Sequence, residues 1–368
     1  MYRSKGPKSF DQLGYLLQKA YEGRHLSLGE LECLLSTRDP DMLTSLFKTA
    51  RAVKEKNFGT SIYCYGFVYF STHCRNDCSF CFYRRSNPSS VRYRKTDEDI
   101  IDLATALEDS GVHLVDLTMG EDPVLHNGSG YGRLIEIVQK VNDAVKVPLM
   151  ISPGVLPSDI FTDLTNAGGD WFACYQETHN RRLFEQLRPE QDYDIRLLQK
   201  EWARRSGMLA EEGIMIGVGE TIADRARSIQ IMGDLGARQV RAMSFIPQCN
   251  TPMSSRDTAQ FLEELVAIAV MRLVYPDRLI PASLDIEGIS GLRSRLEAGA
   301  NVITSIIPPS KGLAGVAQHE LDIDGGGRTV SQIEEVLDGM GVRLGTPADY
   351  ASRIEEWKLN DRSMGVVH

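Results

Sequence analysis

The stretch Ser61-Ile-Tyr-Cys-Tyr-Gly-Phe-Val-Tyr-Phe70 is apolar and aromatic, and it predicts a β-strand. After three further residues the chain reads Cys74-Arg-Asn-Asp-Cys78-Ser-Phe-Cys81. Three thiolates on one loop can hold three corners of an iron–sulfur cube, whereas a saturated 4Fe–4S cluster takes four. The fourth iron is then free to bind a small molecule. Cys74, Cys78 and Cys81 are therefore candidate ligands of a cluster that does chemistry.

Seven further β-rich runs follow this first strand, and most of them are separated by amphipathic helical stretches. The strands are predicted at residues 112–118, 147–152, 170–176, 213–218, 239–245, 279–285 and 301–307. The helical stretches between them include 96–110, 132–145, 158–167 and 258–274. Strands alternating with helices indicate a parallel sheet, and a count of eight predicts a closed (β/α)8 TIM-type barrel. Nearly every run ends in polar or glycine residues, which predicts one site at the carboxyl-terminal mouth.

Two helical regions frame the predicted barrel. Residues 10–57 carry leucines at helical spacing, so residues 1–58 are predicted to form an N-terminal helical extension. Residues 59–368 then form the barrel domain, which closes with a C-terminal helical segment from residue 330 to about residue 357. We therefore expect one catalytic domain with a helical preface.

The overall composition argues against several classes of function. The chain has 368 residues, 42% of them hydrophobic, and a formal net charge of −9. An acidic chain without a basic stripe is not expected to bind nucleic acid. No stretch approaches the roughly 18 apolar residues of a membrane span, and the N-terminus lacks the apolar core of a signal peptide. We therefore expect neither a nucleic-acid partner nor a membrane.

The cysteines indicate a reducing compartment, most simply the cytoplasm, because their number is odd and three of the seven share one loop. The single cysteines, expected to be buried free thiols, are Cys33, Cys64, Cys174 and Cys249. An alternative for the loop is a structural zinc site with His73 or His113 as the fourth ligand. Zinc ligands usually form two separated pairs, whereas three cysteines here form one run.

The cysteine spacing, three residues and then two with an aromatic residue before the last cysteine, resembles that of the radical S-adenosylmethionine superfamily. The resemblance implies a 4Fe–4S cluster whose open iron chelates S-adenosylmethionine, with release of a 5′-deoxyadenosyl radical on reduction. Phe80 and Tyr83 are expected to surround the cluster with apolar surface. The cofactor supplies the radical, so no side chain is predicted to be catalytic itself. An electron donor such as a flavodoxin or ferredoxin is implied as a partner.

Other residues match the cofactor site of that superfamily. Gly120 and Glu121 follow the second strand, where the superfamily places a segment that hydrogen-bonds the methionine amino group. Glu177 ends the fourth strand and Arg196 follows nineteen residues later, the separation found in biotin-synthase-like members. In those members this Glu and Arg contact the cofactor's amino acid part and ribose, so the resemblance favours Arg196 over Arg188 as the partner of the cofactor's carboxylate. Arg188 is also a candidate cofactor contact, and the alternative for it is an ordinary surface ion pair. The remaining expected cofactor contacts, beside Arg188, are Ser152 and Gly219, at the ends of the third and fifth strands.

The chain as a whole resembles the methylornithine synthases of pyrrolysine biosynthesis, within the biotin-synthase-like group. The matching stretches are 69–72, 115–123, 150–154, 175–178, 278–285 and 301–305. This family isomerises L-lysine to (3R)-3-methyl-D-ornithine by rearranging the carbon skeleton. A hydrogen is removed from the lysine chain, which splits into a glycyl-type fragment and an aminobutene, and the two rejoin at a different carbon. Because the hydrogen then returns, S-adenosylmethionine would be regenerated.

Lysine's charges explain the polar residues at the strand ends. Burying an α-carboxylate and two ammonium groups unpaired would be costly. Arg241 can fork onto the carboxylate. Asp116 and Asp285 can take the ammonium groups, and the resemblance places an Arg, Asp and Ser set at these positions. Ser283 and Ser305 can add hydrogen bonds. The alternative is that each is a polar residue satisfied by a neighbouring loop.

Two other functions stay open on the sequence. One is a different biotin-synthase-like enzyme acting on another small amino acid, such as a sulfur-inserting or hydrogenase-maturation relative. Sulfur insertion needs a second cluster, and the single, widely spaced cysteines disfavour one. The other is a non-catalytic iron–sulfur or zinc protein. The loops 82–91 and 325–329 do not follow the family's pattern, and a change there could alter which amino acid enters.

Overall fold

The computed structural model describes residues 6–308 and 328–364. Its main strands are β1 Ser61–Ser71, β2 Leu114–Met119, β3 Leu149–Ser152, β4 Gly169–Ala173, β5 Leu209–Ile216, β6 Gln239–Ser244, β7 Pro281–Ser283 and β8 Val302–Ile306. They form one parallel sheet in the order β6-β5-β4-β3-β2-β1-β8-β7. All eight predicted strands are present, and the (β/α)8 class is confirmed.

Backbone hydrogen bonds close the sheet between its two edge strands. The Val240 N–H donates to Leu279 O at 3.0 Å, and the Leu279 N–H donates to Arg238 O at 3.0 Å. These bonds join β6 to the residues just before β7. Because the strands are parallel, their carboxyl ends meet at one mouth of the barrel. The polar residues that follow the strands are thereby brought to a common rim.

Three helices precede the barrel: α1 Phe10–Tyr21, α2 Leu28–Leu35 and α3 Pro40–Phe58. A capping box begins α2, in which Ser27 Oγ accepts from the Glu30 N–H and the Glu30 carboxylate accepts from the Ser27 N–H. Most buried residues of these helices share one apolar core with the barrel helices. The domain boundary drawn at residue 58 stays a prediction.

The helices between the barrel strands are α4 Asp97–Asp109, α5 Gly128–Ala144, α6 Ile160–Asn166, α7 Arg181–Leu187, α8 Tyr193–Ser206, α9 Ile222–Asp234, α10 Phe261–Val274 and α11 Leu292–Glu297. Four of them, α7, α8, α9 and α11, were not predicted from the pattern. The reason is clearest in α8, whose buried residues are Arg196, Gln199 and Lys200 with a single apolar residue, Ala203. A helix that buries polar groups toward a site gives no hydrophobic periodicity.

The C-terminal segment differs from the prediction of one helix from residue 330 to about 357. It consists of α12 Val330–Asp338, a short strand β9 Arg343–Leu344 and α13 Pro347–Met364. The helix breaks near Gly341, which has a left-handed φ of 69°. Residues 343 and 344 then pair with the start of β1. The glycines at 325–327 lie outside the described residues.

Helix α13 packs across the amino-terminal end of the barrel. Its Tyr350 and Trp357 join an apolar cluster with Tyr63 and Trp171, which lie near the starts of β1 and β4. The rings of Trp171 and Trp357 meet edge to face with centroids 6.2 Å apart. This packing fills the amino-terminal end, so the barrel interior opens toward the carboxyl-terminal mouth.

The seven cysteines are all unpaired. Cys33, Cys64 and Cys174 are buried as predicted, whereas Cys249 is exposed because it lies in the loop after β6 rather than in the strand. Among the described residues, no helix combines the length and apolarity needed to cross a membrane.

Candidate active site

A cavity of about 220 Å³ opens at the carboxyl-terminal mouth of the barrel. A second cavity of about 150 Å³ shares Phe80, Tyr175 and Asp285 with it. The first is lined by Cys74, Cys78, Phe80, Cys81, Tyr83, Asp116, Gly120, Glu121, Ser152, Glu177, Arg188, Arg196, Arg241, Asp285 and Ser305, and the second adds Ser283. The fold thus gathers nearly all the predicted site residues around one space.

Gly219 is the predicted site residue that lines neither cavity. It is exposed and has a left-handed φ of 110°, a conformation that favours glycine. A Cβ at this position would lie 3.3 Å from Arg256 Nη1, and that nitrogen donates to Val218 O at 2.6 Å. The loop's conformation therefore accounts for the glycine, and the contact of Gly219 with the cofactor stays a prediction.

The cysteine loop lies directly against the end of β2. A Cβ on Gly120 would stand only 2.4 Å from His73 O and 3.0 Å from Cys74 Cβ, so glycine permits this close approach. The Arg75 N–H donates to Glu121 O at 2.8 Å and ties the two segments together. The loop that carries the cysteines is thereby placed over the cavity.

Burial raises the pKa of the Cys74 thiol to about 11 and that of Cys81 to about 12. Metal ligation requires thiolates, so the positive charge of bound iron has to offset this burial. The sulfur of Cys78 accepts hydrogen bonds from Gln191 Nε2 at 3.0 Å and Arg188 Nη1 at 3.3 Å. The three sulfurs therefore lie in different polar surroundings.

A zinc site that uses His113 is disfavoured by position. The ring of His113 contacts the Cys64 N–H at 3.1 Å and Gly345 O at 2.7 Å, at the amino-terminal end of the barrel. A zinc ion shared by the three cysteines and His113 is therefore not compatible with this fold.

Glu121 is buried among cations at the cavity wall. Its carboxylate accepts from Arg75 Nε at 3.0 Å and from the Val155 N–H at 3.1 Å, and it lies 3.5 Å from Arg196 Nη1. Burial acts to raise the pKa of this carboxyl, but the charges of Arg196, His126 and Arg75 outweigh burial and lower it. An ionised acceptor is thereby kept ready for a cationic group.

Arg188 is buried and pairs with Glu177, so the alternative of a surface ion pair is wrong, and its contact with the cofactor stays a prediction. Arg188 Nη2 donates to Glu177 Oε1 at 2.6 Å. Arg196 lies against Glu121, and the contact of Glu177 and Arg196 with S-adenosylmethionine stays a prediction. Glu177 has a left-handed φ of 66°, and strain of this kind, about 1–3 kcal/mol, is concentrated at functional sites. Its Oε2 is buried without a hydrogen-bond partner in the described structure, and burial raises its pKa.

Asp116 projects from β2 toward Ser152 at the end of β3. Ser152 Oγ donates to Asp116 Oδ1 at 2.7 Å. Burial raises the pKa of Asp116 to about 7, and the charge of Glu211 adds to this effect, while Ser152 and Arg241 act in the opposite direction. Asp116 has no ion pair among the described residues. This carboxyl is therefore available to a cation that enters the cavity.

Arg241 lies in the middle of β6, but its guanidinium already makes contacts within the protein. Its Nε donates to Glu211 Oε1 at 2.8 Å and its Nη2 donates to the Tyr65 hydroxyl. The carbon of the guanidinium lies 5.5 Å from the centre of the Tyr175 ring, and Nη1 lies 4.0 Å from Met243 Sδ. Sequence reasoning missed Glu211 because it precedes the strand predicted at 213–218.

Asp285 follows β7 and forms the centre of a small polar group. Its Oδ2 accepts from Ser305 Oγ at 2.8 Å and from Ser283 Oγ at 3.1 Å. Its Oδ1 accepts from Arg328 Nη1 at 2.9 Å. The backbone of Arg328 is fixed next to β8, because the Ile307 N–H donates to Arg328 O at 3.1 Å. Sequence reasoning missed Arg328, which is separated from β8 by a long stretch without a pattern.

Comparison with known proteins agrees with this geometry. Residues 68–232 match the family model of the radical SAM superfamily. A 3-methylornithine synthase of Methanosarcina barkeri is 39% identical over 341 residues, which are 93% of this chain and 96% of that protein. The chain belongs to the methylornithine synthase family. A crystal structure of methylornithine synthase (PylB) matches at a TM-score of 0.87 and 39% identity, covering 92% of this chain and 99% of that one.

More distant solved structures share the fold of this chain at low sequence identity. A crystal structure of HydG, a maturase of the [FeFe]-hydrogenase, matches at a TM-score of 0.82 over 96% of this chain and 82% of that one. Its identity is 20%, so it shows a shared fold alone. Family membership implies a 4Fe–4S cluster and S-adenosylmethionine. The cysteine loop and the unpartnered Glu177 Oε2 in the cavity fit these two groups.

Proposed function

We propose that this chain is a radical S-adenosylmethionine mutase that converts L-lysine to (3R)-3-methyl-D-ornithine in pyrrolysine biosynthesis. The observation that carries the proposal is the set of charged groups on the wall of the first cavity: Asp116, Arg241 and Asp285. Glu211 balances Arg241, and Arg328 balances Asp285. Asp116 is left with a charge to be paired, which suits a substrate with one net positive charge, as lysine has.

The charged groups of lysine can each pair with a side chain of opposite charge in this cavity. A carboxylate can accept from Arg241 Nη1, the guanidinium nitrogen nearest Met243. An ammonium group can donate to Asp116, and the second can approach Asp285 between Ser283 and Ser305. Each contact offsets the cost of removing a charge from water, which is several kcal/mol for an unpaired ion. A substrate lacking one of these charges would leave a buried partner unsatisfied.

The residues that would hold the cofactors surround the substrate positions. Cys74, Cys78 and Cys81 would ligate the cluster, while Glu121 and Glu177 offer acceptors to the amino acid part of S-adenosylmethionine. The apolar walls of the second cavity suit an adenosine group. When bound, these groups supply the chemistry that removes a hydrogen atom from an unactivated carbon.

The barrel walls keep the pieces of a fragmenting substrate together. Tyr65, Tyr69 and Tyr175 line the first cavity, and the packing of α13 fills the opposite end of the barrel. A tight cavity holds two fragments at contact distance, where recombination is effectively intramolecular. The same walls exclude water from the reacting carbon.

We propose an acidic electron donor, such as a flavodoxin or ferredoxin, and a cytoplasmic setting in which the cysteines stay reduced. The cluster loop and the segment after it are basic in an otherwise acidic chain. Between residues 74 and 95 the charged residues are Arg75, Asp77, Arg84, Arg85, Arg92, Arg94 and Lys95. Positive charge beside the cluster would steer an acidic protein toward it, in a way that salt screens.

Charge reversal tests the donor proposal. Arg85 is half exposed beside the cluster loop, so Arg85→Glu should slow reduction by an acidic flavodoxin at low salt. Reduction by dithionite should keep its rate, because that small reductant does not need a docking surface. Equal flavodoxin rates in both proteins at low salt would refute the basic docking surface.

A comparison of three possible substrates tests the main proposal. The reconstituted, reduced protein is incubated without oxygen with S-adenosylmethionine and either lysine, ornithine or norleucine, and products are separated by chromatography. Lysine should give an isomer of equal mass, while norleucine, which lacks the side-chain ammonium, should bind poorly and stay unchanged. Conversion of norleucine as fast as lysine would refute the charge-pairing argument. An iron and sulfide content near two clusters per chain would instead favour a sulfur-inserting enzyme.

A further inference from the structure

The sulfur of Cys78 receives side-chain hydrogen bonds from two residues outside the cysteine loop. Gln191 Nε2 lies 3.0 Å from Cys78 Sγ, and Arg188 Nη1 lies 3.3 Å from it. Arg188 is committed to Glu177 through its other terminal nitrogen. Gln191 lies in the turn between α7 and α8, where no motif drew attention to it.

The orientation of the Gln191 amide follows from its second contact. Gln191 Oε1 accepts from Arg196 Nη1 at 3.2 Å. Arg196 is itself fixed, since its Nε donates to Tyr175 O at 2.8 Å. A guanidinium can only donate, so the amide oxygen must face Arg196 and the amide nitrogen must face the sulfur. The Gln191 N–H therefore points at Cys78.

We propose that Gln191 is a positioning residue that sets the reduction potential of the cluster by donating a hydrogen bond to Cys78 Sγ. Reduction adds negative charge to the cluster, part of which resides on the cysteine sulfurs. A donor N–H aimed at a sulfur stabilises that charge and raises the potential. The donor is neutral and only partly buried, so it adds this effect without placing another charge beside the cluster.

Gln191 also connects the two halves of the site. A continuous series of contacts runs from Glu121 through Arg196 and Gln191 to Cys78. Glu121 and Arg196 both line the first cavity, where they are predicted to hold S-adenosylmethionine. The proposal rests on the cluster and not on the choice of lysine as substrate. Failure of the lysine assay would therefore leave it standing.

Redox titration followed by electron paramagnetic resonance tests the proposal on reconstituted protein with four irons per chain. Gln191→Leu keeps a side chain of similar volume and removes the donor. The equilibrium constant for one-electron reduction of the cluster should decrease about three- to tenfold in this variant. This corresponds to a reduction potential lower by about 30–60 mV. Gln191→Glu replaces the donor by a negative charge and should lower the potential further.

A matched control is Gln186→Leu, the same change five residues earlier on an exposed position of α7. Its potential should equal that of the unchanged protein. A Gln191→Leu protein with full iron content and an unchanged potential would overturn the proposal. If that variant assembles no cluster, Gln191→Met decides instead, because its unbranched side chain has the length of glutamine, carries no charge and has no N–H donor. An unchanged potential in that variant also overturns the proposal.

Discussion

Arg241 Nε lies 2.8 Å from Glu211 Oε1 inside the barrel, and both side chains are almost completely buried. The Tyr65 hydroxyl accepts from a second nitrogen of the same guanidinium. Arg241 is thus oriented by an acid and a phenol deeper in the barrel before any substrate enters. A predicted substrate contact therefore depends on Glu211, a residue that the substrate need not touch.

Removal of the Glu211 charge should weaken both binding and folding. Glu211→Leu leaves a buried guanidinium unpaired, so the free energy of unfolding in urea should fall by about 3–5 kcal/mol. The double variant Glu211→Leu with Arg241→Met should recover most of this loss but not bind lysine. Equal stability of the single variant and the parent chain would show that the pair contributes nothing.

Lysine binding should depend on pH through Asp116. Its pKa of about 7 means that acidification protonates the carboxyl and removes the partner of the ammonium group. We expect kcat/KM for lysine to fall as pH drops below about 7. The Asp116→Asn variant should have a low kcat/KM at every pH. Ser152 acts to lower this pKa, so Ser152→Ala should move the inflection to higher pH. An inflection that persists in Asp116→Asn would assign it to another group.

Asp116 should also affect stability with a definite sign. Its folded-state pKa lies above the usual value near 4, so the folded state binds the proton more tightly than the unfolded chain. The contribution of Asp116 to the free energy of unfolding should therefore decline as pH rises from about 4 to about 7. Denaturation of the cofactor-free protein measures this decline. Asp116→Asn should remove this part of the pH dependence, and an identical profile would contradict the assignment.

Arg328 should control the position of Asp285. Without Arg328 Nη1, the Asp285 carboxylate would be drawn toward Arg241, whose charge it already influences, and would compete with the substrate carboxylate. We expect Arg328→Gln to raise KM for lysine about tenfold with a smaller change in kcat, as for loss of one charge-assisted hydrogen bond. Arg328→Lys should restore part of the affinity. The control is Arg293→Gln, an exposed position on α11, and an equal rise there would refute a specific role.

The iron content of cysteine variants should distinguish the three loop cysteines from the other thiols. Cys74→Ala, Cys78→Ala and Cys81→Ala should each lose most of the cluster, because three thiolates are already one fewer than a saturated cluster uses. Cys249→Ala changes an exposed thiol outside the cavities and should keep full iron content. Iron loss in Cys249→Ala comparable to that in the loop variants would require a different set of ligands.

The sequence predicted what periodicity and local motifs encode. Eight strands alternate in pattern with helices, and each strand's carboxyl end has to reach the same mouth once the sheet closes. For this reason Asp116, Arg241 and Asp285 could be grouped in space although they are far apart in the chain. The cysteine loop was equally clear, because its ligand spacing is local.

The partners of these residues were not predictable, because side-chain pairing depends on tertiary contacts. The sequence named Glu177 and Arg196 as joint contacts of the cofactor, but it could not show that Arg196 lies against Glu121 or that Glu177 pairs with Arg188. Gln191 belongs to an irregular turn, and only its distance to Cys78 reveals its place in the site. Chemistry carried by such contacts has no signature in a single sequence.

Carbon-13 labelling tests the central claim, a lysine mutase, most directly. Lysine labelled at carbon 3 is incubated without oxygen with the reconstituted, reduced protein and S-adenosylmethionine, and the product is examined by nuclear magnetic resonance. If the glycyl-type fragment leaves carbon 3 and rejoins at carbon 4, carbon 3 becomes the new methyl group. The account predicts a labelled methyl signal without stoichiometric consumption of S-adenosylmethionine. Label that remains in a chain methylene while 5′-deoxyadenosine accumulates would contradict it.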